Sequence, residues 1–249
     1  MPLTFDYALP VHNEEAVLAG NVLRLVHRLA ELPGSRVLLV ENGSRDNSWQ
    51  LCQQLAQQAA DTGAAVPVLA FRELAAGIGH AYHRGLQESL AGKAGDRDRY
   101  VVLTAADLPF GFTDLDGVLA GSHDRAVAQV WIGSKAHAQS VVAVDTERRL
   151  ATRAYRVARR LILGMRTADS QGTVFVPLSV AEAIVPQVHA RGFFYSTEFI
   201  HFVEKAQVPV VELPVVLEAS RRASTVQPLK HGAVMAAQLL ELRTRSFRP

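Results

Sequence analysis

Hydrophobic and polar positions run in two alternating periods through the first part of the chain. Phe5 to Val11 is a short, mostly apolar run and reads as a buried strand. From Ala16 to Leu32, Val17, Val22, Leu25, Val26 and Leu29 recur at helical spacing, and Pro33-Gly34 stops the helix. Asn13 is placed to cap that helix, and Glu14 and Glu15 suit its positive end. Arg36 to Val40 is the next apolar strand. The turn Asn42-Gly43-Ser44-Arg45-Asp46 follows, with Ser44 or Asp46 placed to cap a helix from about Asn47 to Asp61. Val66 to Phe71 reads as a third strand, and a glycine-rich turn leads into a helix from about His80 to Leu90. After a polar loop, Gly92 to Arg99, comes the strand Tyr100 to Thr104. This β-α-β-α-β-α-β order predicts an α/β, Rossmann-like, mostly parallel sheet flanked by helices, with right-handed crossovers.

The second part is less regular. Ala128 to Ile132 reads as a strand running into Gly133-Ser134-Lys135, and Thr146 to Leu163 as a long helix. Thr173 to Val176 is a strand, Val180 to His189 a helix and Thr197 to Ala206 another helix. Val208 to Leu217 holds one or two strands around Pro214, Arg221 to Pro228 reads as a mobile loop, and Lys230 to Arg243 as a final helix. With no repeat or linker, residues 1–249 are expected to form a single domain, regular over 1–107 and less regular over 108–249.

Composition changes this picture little. The 249 residues are 49% hydrophobic, enough for a substantial core. No run reaches the ~18 apolar residues of a membrane span, and the N-terminus lacks a secretory pattern. A cytoplasmic protein is therefore expected. The one cysteine, Cys52, lies in a helix and suits a small buried apolar position. A net charge of +2 alone says nothing about nucleic acid, and no nucleic-acid partner is expected. Arginines do cluster: Arg149, Arg153, Arg156 and Arg160, spaced four, three and four apart, form a stripe on the long helix. Solvated faces often look like this, but the stripe also suits an anionic acceptor or lipid headgroups, which would place the protein peripherally at the inner face of a membrane.

The candidate chemistry lies where strands end, the edge at which open α/β sheets take nucleotides. Pro10, His12 and Glu14 follow the first strand, and Glu41 and Asn42 the second. Their polar groups can meet a base and a ribose, or serve only as turn and cap residues. Gly77-Ile78-Gly79 before a helix permits close backbone approach and can leave N–H groups for an anion. Asp107 after the fourth strand can hold a divalent cation against a diphosphate. Asp169 lies in Ala168-Asp169-Ser170-Gln171-Gly172, and Arg221-Arg222-Ala223-Ser224 can clamp a phosphate. His12, His80 and His83 have no third ligand at metal-site spacing, and no Gly-x-Ser-x-Gly elbow supports a hydrolase triad.

These residues resemble the family 2 glycosyltransferases of GT-A fold. Pro10-Val11-His12-Asn13-Glu14-Glu15 is similar to that family's Pro-x-x-Asn-Glu opening, and Glu41-Asn42-Gly43-Ser44-x-Asp46-x-Ser48 to its Asp-Asp-Gly-Ser-x-Asp-x-Ser/Thr turn. Gly77-Ile78-Gly79-His80-Ala81-Tyr82, Asp169-x-Gln171-Gly172, Glu212-Leu213-Pro214-Val215 and Arg222-x-Ser224 look like the polyprenyl (dolichyl) phosphate mannose and glucose synthase branch. The resemblance implies an inverting hexosyltransferase with a nucleotide diphosphate sugar as donor, a divalent cation (Mg²⁺ or Mn²⁺) as cofactor and a polyprenyl phosphate as acceptor. It makes 1–107 the nucleotide-binding part and 108–249 the acceptor-binding part, and assigns Pro10, His12, Glu14, Glu41, Asn42 and Gly79 to the nucleotide sugar. Asp107 becomes the metal and catalytic residue, with Asp169 and Gln171 beside it in the chemistry. Lys135, Arg149, Arg153, Arg222 and Ser224 are assigned to phosphates. Three departures stand out. Ala105-Ala106-Asp107 replaces Asp-x-Asp, so a cation loses one charged ligand. Glu41-Asn42 replaces two aspartates, and Lys135 stands where the family commonly has arginine. A hydroxyl acceptor, which would need Asp169 or Glu198 as base, and an inactive nucleotide-sugar-binding protein are the alternatives. A sugar-phosphate nucleotidyltransferase would want a glycine-rich, basic loop where His12-Asn13-Glu14-Glu15 stands.

Overall fold

The computed structural model describes residues 3–91, 98–121, 127–142, 146–217 and 228–246, with backbone alone at 146–148 and 228–233. The fold is α/β, a mostly parallel sheet with flanking helices, and the residues group into two compact units. The first comprises 1–108 and 173–195, the second 109–172 and 196–249. The first break thus falls next to the sequence-based division at 107, but the chain returns to the first unit for one strand and one helix.

In the first unit, β1 (Thr4–Val11), β2 (Arg36–Glu41), β3 (Val68–Arg72) and β4 (Arg99–Leu103) lie in the order β3-β2-β1-β4, all parallel. Helices α1 (Leu18–Leu29), α2 (Ser48–Asp61) and α3 (Ile78–Leu90) form the crossovers. The strands are apolar because both faces are covered; Leu9, Val37, Leu38, Leu39, Val40, Val101 and Val102 are buried. Cys52 is buried in α2, and burial pushes its thiol up to about 12, so it is inert packing. β6 (Thr173–Pro177) pairs antiparallel with β4, and α6 (Leu178–Ile184) packs over both. The helix expected over Val180 to His189 stops early: Pro186, with no N–H to donate, lies in a 3-10 turn, Val185–Gln187. One charged group enters the interior. Asp6 is fully buried and accepts from Arg36 Nε (2.8 Å) and Nη2 (2.6 Å) and from Arg99 Nη1 (2.6 Å). Both oxygens are thus satisfied, which a buried carboxylate requires.

In the second unit, β5 (Val130–Ser134) pairs in parallel with β7 (Val210–Pro214). The unit also holds α4 (Thr113–Gly121), α5 (Thr146–Leu163), nearly all of α7 (Tyr195–Lys205) and α8 (Pro228–Arg243), which packs on α5. Helix α4 was not expected from the sequence. Its Gly117 lies against Leu213 and its Gly121 against the Trp131 ring. The loop expected over Arg221 to Pro228 falls mostly outside the described residues. Among the described residues, no helix is long and apolar enough to cross a membrane.

Candidate functional site

The first unit carries a polar rim where β1 and β2 end. The two loops are laced to each other by backbone N–H groups donating to side chains. Asn13 N–H reaches Ser44 Oγ (3.1 Å), Glu14 N–H reaches Ser48 Oγ (2.8 Å) and Glu15 N–H reaches Asp46 Oδ2 (3.2 Å). In return Arg45 N–H donates to Asn13 Oδ1 (2.8 Å), and Asn47 donates twice to the Glu15 carboxylate. Asn13 therefore does not cap α1. It sits at φ +56°, a conformation asparagine tolerates, and α1 starts after Val17 with no side-chain cap. Asp46 Oδ1 accepts from Ser48 N–H (3.0 Å) at the start of α2, close to the capping role expected of it.

The rim residues divide into those facing solvent and those facing inward. His12 is exposed, and its Nδ1 lies 3.0 Å from the Asn42 carbonyl, so Nδ1 carries the proton and donates. Pro10 and Glu14 are half-buried. Glu41 is buried, and its carboxylate accepts from Ser44 N–H (2.5 Å) and Arg72 Nε (3.2 Å). These donors satisfy a buried carboxylate and close its own turn. Asn42 is 3% exposed, yet its side-chain oxygen has no hydrogen-bond partner. Buried amide oxygens are nearly always satisfied, so an unmet one beside a polar rim marks a place for a donor.

Gly79 has a packing role beside the one expected of it. The N–H of His80, at the head of α3, donates to the carbonyls of Gly77 (3.0 Å) and Arg191 (3.1 Å), so it is not open to an anion. Gly77 and Gly79 are needed because the Arg191 backbone packs onto them. The same segment frames a cluster around His83. Arg191 Nη2 lies 3.3 Å from its Nε2 and Tyr195 Oη 3.4 Å from its Nδ1. Burial, then the charges of Arg191 and His80, lower the His83 pKa to about 4, so the ring is neutral.

Asp107 is exposed on the turn after β4. Leu108 behind it is buried with φ +47°, and its N–H closes the turn onto the Ala105 carbonyl (3.1 Å). A leucine held in the left-handed region costs on the order of 1–2 kcal/mol. Burial first, and Asp107 second, raise the pKa of Tyr82. As a cation site the turn is poor. Ala105 supplies no oxygen, and among the described residues no three His, Cys, Asp or Glu side chains converge. The residues present do not fit an ion held by protein ligands.

The second unit suspends the irregular segment from Arg166 to Gln171 on ionisable side chains. Glu204 of α7 accepts the N–H groups of Arg166 and Thr167 and the Thr167 hydroxyl. Glu212 of β7 accepts the N–H groups of Ala168 (2.8 Å) and Asp169 (2.9 Å) and the hydroxyl of Ser134 (2.7 Å). Arg159, 2% exposed in α5, donates to the carbonyls of Thr167 (3.4 Å) and Ala168 (2.9 Å). Asp169, 8% exposed, accepts from Lys135 N–H (2.9 Å) through one oxygen and Gln171 N–H (2.9 Å) through the other. Each oxygen of that carboxylate thus holds a backbone N–H, while Lys135 and Gln171 stand exposed beside it. Glu198 is 1% exposed and takes Arg245. Arg149 and Arg153 are exposed on α5, as expected, and Arg222 and Ser224 lie outside the described residues. The sequence reading missed Arg159, Glu204 and the anchoring role of Glu212. A signal existed for one of them, since Arg159 falls off the four-three-four arginine stripe onto the helix face shared by Tyr155 and Ile162.

The sequence model of Glycosyl transferase family 2 matches residues 7–160. No curated protein matches the chain in sequence. Among solved structures, the chain is similar to glucosyl-3-phosphoglycerate synthase from Mycobacterium tuberculosis. In the complex with UDP the identity is 17%, with a TM-score of 0.62 over 97% of this chain and 79% of that one. In the complex with Mn²⁺, UDP-glucose and phosphoglyceric acid the identity is 16% and the TM-score 0.62, over 97% of this chain and 78% of that one. A structure described as a mycobacterial protein matches at 17% identity and a TM-score of 0.59, over 97% of this chain and 73% of that one. At these identities the likeness carries the fold. The neighbours named are not polyprenyl phosphate sugar synthases, so the resemblance holds at the level of the family.

Proposed function

Because the chain belongs to glycosyl transferase family 2, we propose that it moves a hexose, with inversion, from a nucleoside diphosphate sugar to an acceptor whose attacking oxygen is already anionic. A phosphate group is that acceptor. The observation that carries this reading is the engagement of Asp169. Both its oxygens hold backbone N–H groups, and Glu198, the other candidate base, is buried against Arg245. A hydroxyl acceptor must lose a proton as it attacks and so needs an available base. A phosphate monoester, with a second pKa near ~6, needs none at neutral pH.

The balance is simple. A phosphate oxygen forms the new bond to the anomeric carbon from the face opposite the nucleotide. The bond to the donor's β-phosphate oxygen breaks, and the nucleoside diphosphate leaves with the electron pair. The transition state has oxocarbenium character, so catalysis rests on positioning and on stabilising the leaving charge. The first unit binds the donor in this reading, with Asn42, His12, Pro10 and Glu14 at base and ribose. Asp107 has a place near the diphosphate, and the second unit offers Lys135, Arg149 and Arg153 to phosphate oxygens. A UDP-hexose is the donor to test first, as the neighbour's complexes hold UDP and UDP-glucose. No step is assigned to a divalent cation.

One observation favours a lipid-borne phosphate over a small one. Leu150, Val157 and Leu161 on α5 are 69%, 53% and 77% exposed, seven and four residues apart on one face. Arg149, Arg153, Arg156 and Arg160 are exposed alongside them. An apolar stripe beside a basic one suits the surface of an anionic bilayer.

The test is transfer from labelled UDP-glucose and GDP-mannose to polyprenyl phosphate, to 3-phosphoglycerate and to polyprenol. Transfer to a phosphate oxygen, read as a sugar–phosphate linkage by phosphorus NMR of the product, is expected, with none to an alcohol oxygen. The lipid is expected to be preferred, and a preference for phosphoglycerate would remove the membrane from the reading. Transfer to polyprenol, or to the hydroxyl of phosphoglycerate, would overturn the anionic acceptor. Donor binding without transfer to any acceptor would make the chain an inactive nucleotide-sugar-binding protein.

A further inference from the structure

We infer that Glu212 is the positioning residue of the acceptor site, acting through Asp169 to set Lys135 and Gln171 side by side. The inference rests on the acceptor reading above, but its geometry stands apart from it. Glu212 sits on β7 next to β5 in register with Ile132, and its carboxylate reaches two separate segments. One oxygen takes both the Ser134 hydroxyl and the Asp169 N–H, and the other takes the Ala168 N–H. It therefore fixes the end of β5 and the segment before β6 with respect to each other.

Asp169 repeats the arrangement one step outward. Its two oxygens hold the N–H of Lys135, just after β5, and of Gln171, just before β6. Ser134 also accepts from the Ala136 N–H (3.2 Å), so the backbone on both sides of Lys135 is held. Gly172 reinforces the approach, because its Cα packs against the Gly133 carbonyl with no room for a Cβ. Two carboxylates in series thus convert a pair of loop ends into one rigid edge. Lys135 and Gln171 are the groups that this edge exposes. Such supporting hydrogen bonds decide whether reacting groups are held at productive geometry.

Glu204 provides the comparison. It holds the same segment through Arg166 and Thr167 but touches neither Asp169 nor Ser134. Glu212→Gln and Glu204→Gln are both expected to lower the melting temperature. Only Glu212→Gln is expected to raise the acceptor KM, on the order of 10- to 100-fold, with the donor Kd unchanged. Hydrogen exchange gives a readout that needs no substrate. Glu212→Gln should speed exchange at Ala168, Asp169, Lys135 and Gln171, whereas Glu204→Gln should speed it at Arg166 and Thr167 alone. If Glu212→Gln fails to fold, Ser134→Ala, which removes a single donor to Glu212, should give a weaker form of the same pattern. Equal loss in the two glutamate variants, or exchange at Lys135 and Gln171 unmoved by Glu212→Gln, would overturn the assignment. An enzyme that transfers to no phosphate would sink the acceptor reading instead, and the exchange pattern would still decide the clasp.

Discussion

The backbone of Arg191 lies so close to Gly79 that a Cβ on that glycine would come within 2.5 Å of the Arg191 carbonyl carbon. Neither partner can give way easily, since the contact is with backbone and the Arg191 carbonyl also accepts the His80 N–H. Gly79→Ala is therefore expected to cost about 1–3 kcal/mol, the range for forced overpacking. Gly20, in α1 with nothing near a Cβ, is the control: Gly20→Ala should add about 0.5–1 kcal/mol. Urea unfolding of the two variants checks both signs, and a neutral Gly79→Ala would mean that the segment around Arg191 moves freely.

Asn42 offers a test of the donor rim that separates binding from stability. Its side-chain oxygen is buried and unmet, so truncation removes no internal hydrogen bond through that atom. Asn42→Ala should therefore leave the melting temperature nearly unchanged while weakening UDP-sugar binding. Loss of one hydrogen bond to a buried partner is worth ~1–3 kcal/mol, or about a five- to hundredfold change in Kd. Calorimetric titration with UDP-glucose measures it. An unchanged Kd would take Asn42 out of the nucleotide site.

These two residues show what the sequence could and could not say. Strands and helices of the first unit were legible because short apolar runs and the 3.6-residue period are local, and the polar rim follows from where strands end. Which rim residue faces outward was not legible. Glu41 and Asn42 are adjacent and both polar, yet one is consumed by Ser44 and Arg72 while the other keeps an unmet oxygen. That distinction depends on Arg72, 31 residues away. Likewise the cap expected of Asn13 was displaced by a contact with Arg45, and Gly117 and Gly121 hid α4 behind a weak helical signal. The antiparallel direction of β6 leaves no local mark at all. Asp169 was visible as a polar turn residue, but its partner Glu212 is far along the chain and surfaced only through a family resemblance.

A half-buried histidine, His83, and a buried one, His201, should make the fold acid-sensitive. Burial first, and nearby cations second, lower His83 and His201 to about 4, with Arg191, His80 and Glu73 around the former and Lys205, Glu204, Glu198 and Arg245 around the latter. The unfolded chain titrates these groups near ~6.5. Between those values the unfolded state binds more protons, so stability is complete above about pH 6.5 and falls as pH drops towards 4. Melting temperatures across that window should decline. His201→Gln and His83→Gln should flatten the decline relative to wild type, whatever the carboxylates contribute below pH 5. Parallel curves for wild type and both variants would show that neither ring is held neutral.

Ala105 provides the converse experiment, restoring a group rather than removing one. It lies half-buried two residues before Asp107, on a turn closed by its own carbonyl and held by the left-handed Leu108. Because the turn is fixed by backbone and by the burial of Leu108, an aspartate at 105 should fold without rearranging it. A second carboxylate adds charge and hard oxygen ligands, which divalent cations favour. Ala105→Asp should therefore tighten Mn²⁺ or Mg²⁺ binding in the presence of UDP, on the order of tenfold. Without nucleotide the gain should be smaller, since the diphosphate supplies the remaining oxygens. Cation titrations of UDP-glucose binding, run on wild type and variant at constant ionic strength, read the effect directly. An identical cation dependence in both proteins would mean that position 105 does not look toward the diphosphate, and that Asp107 acts on the donor by some route other than a shared ion.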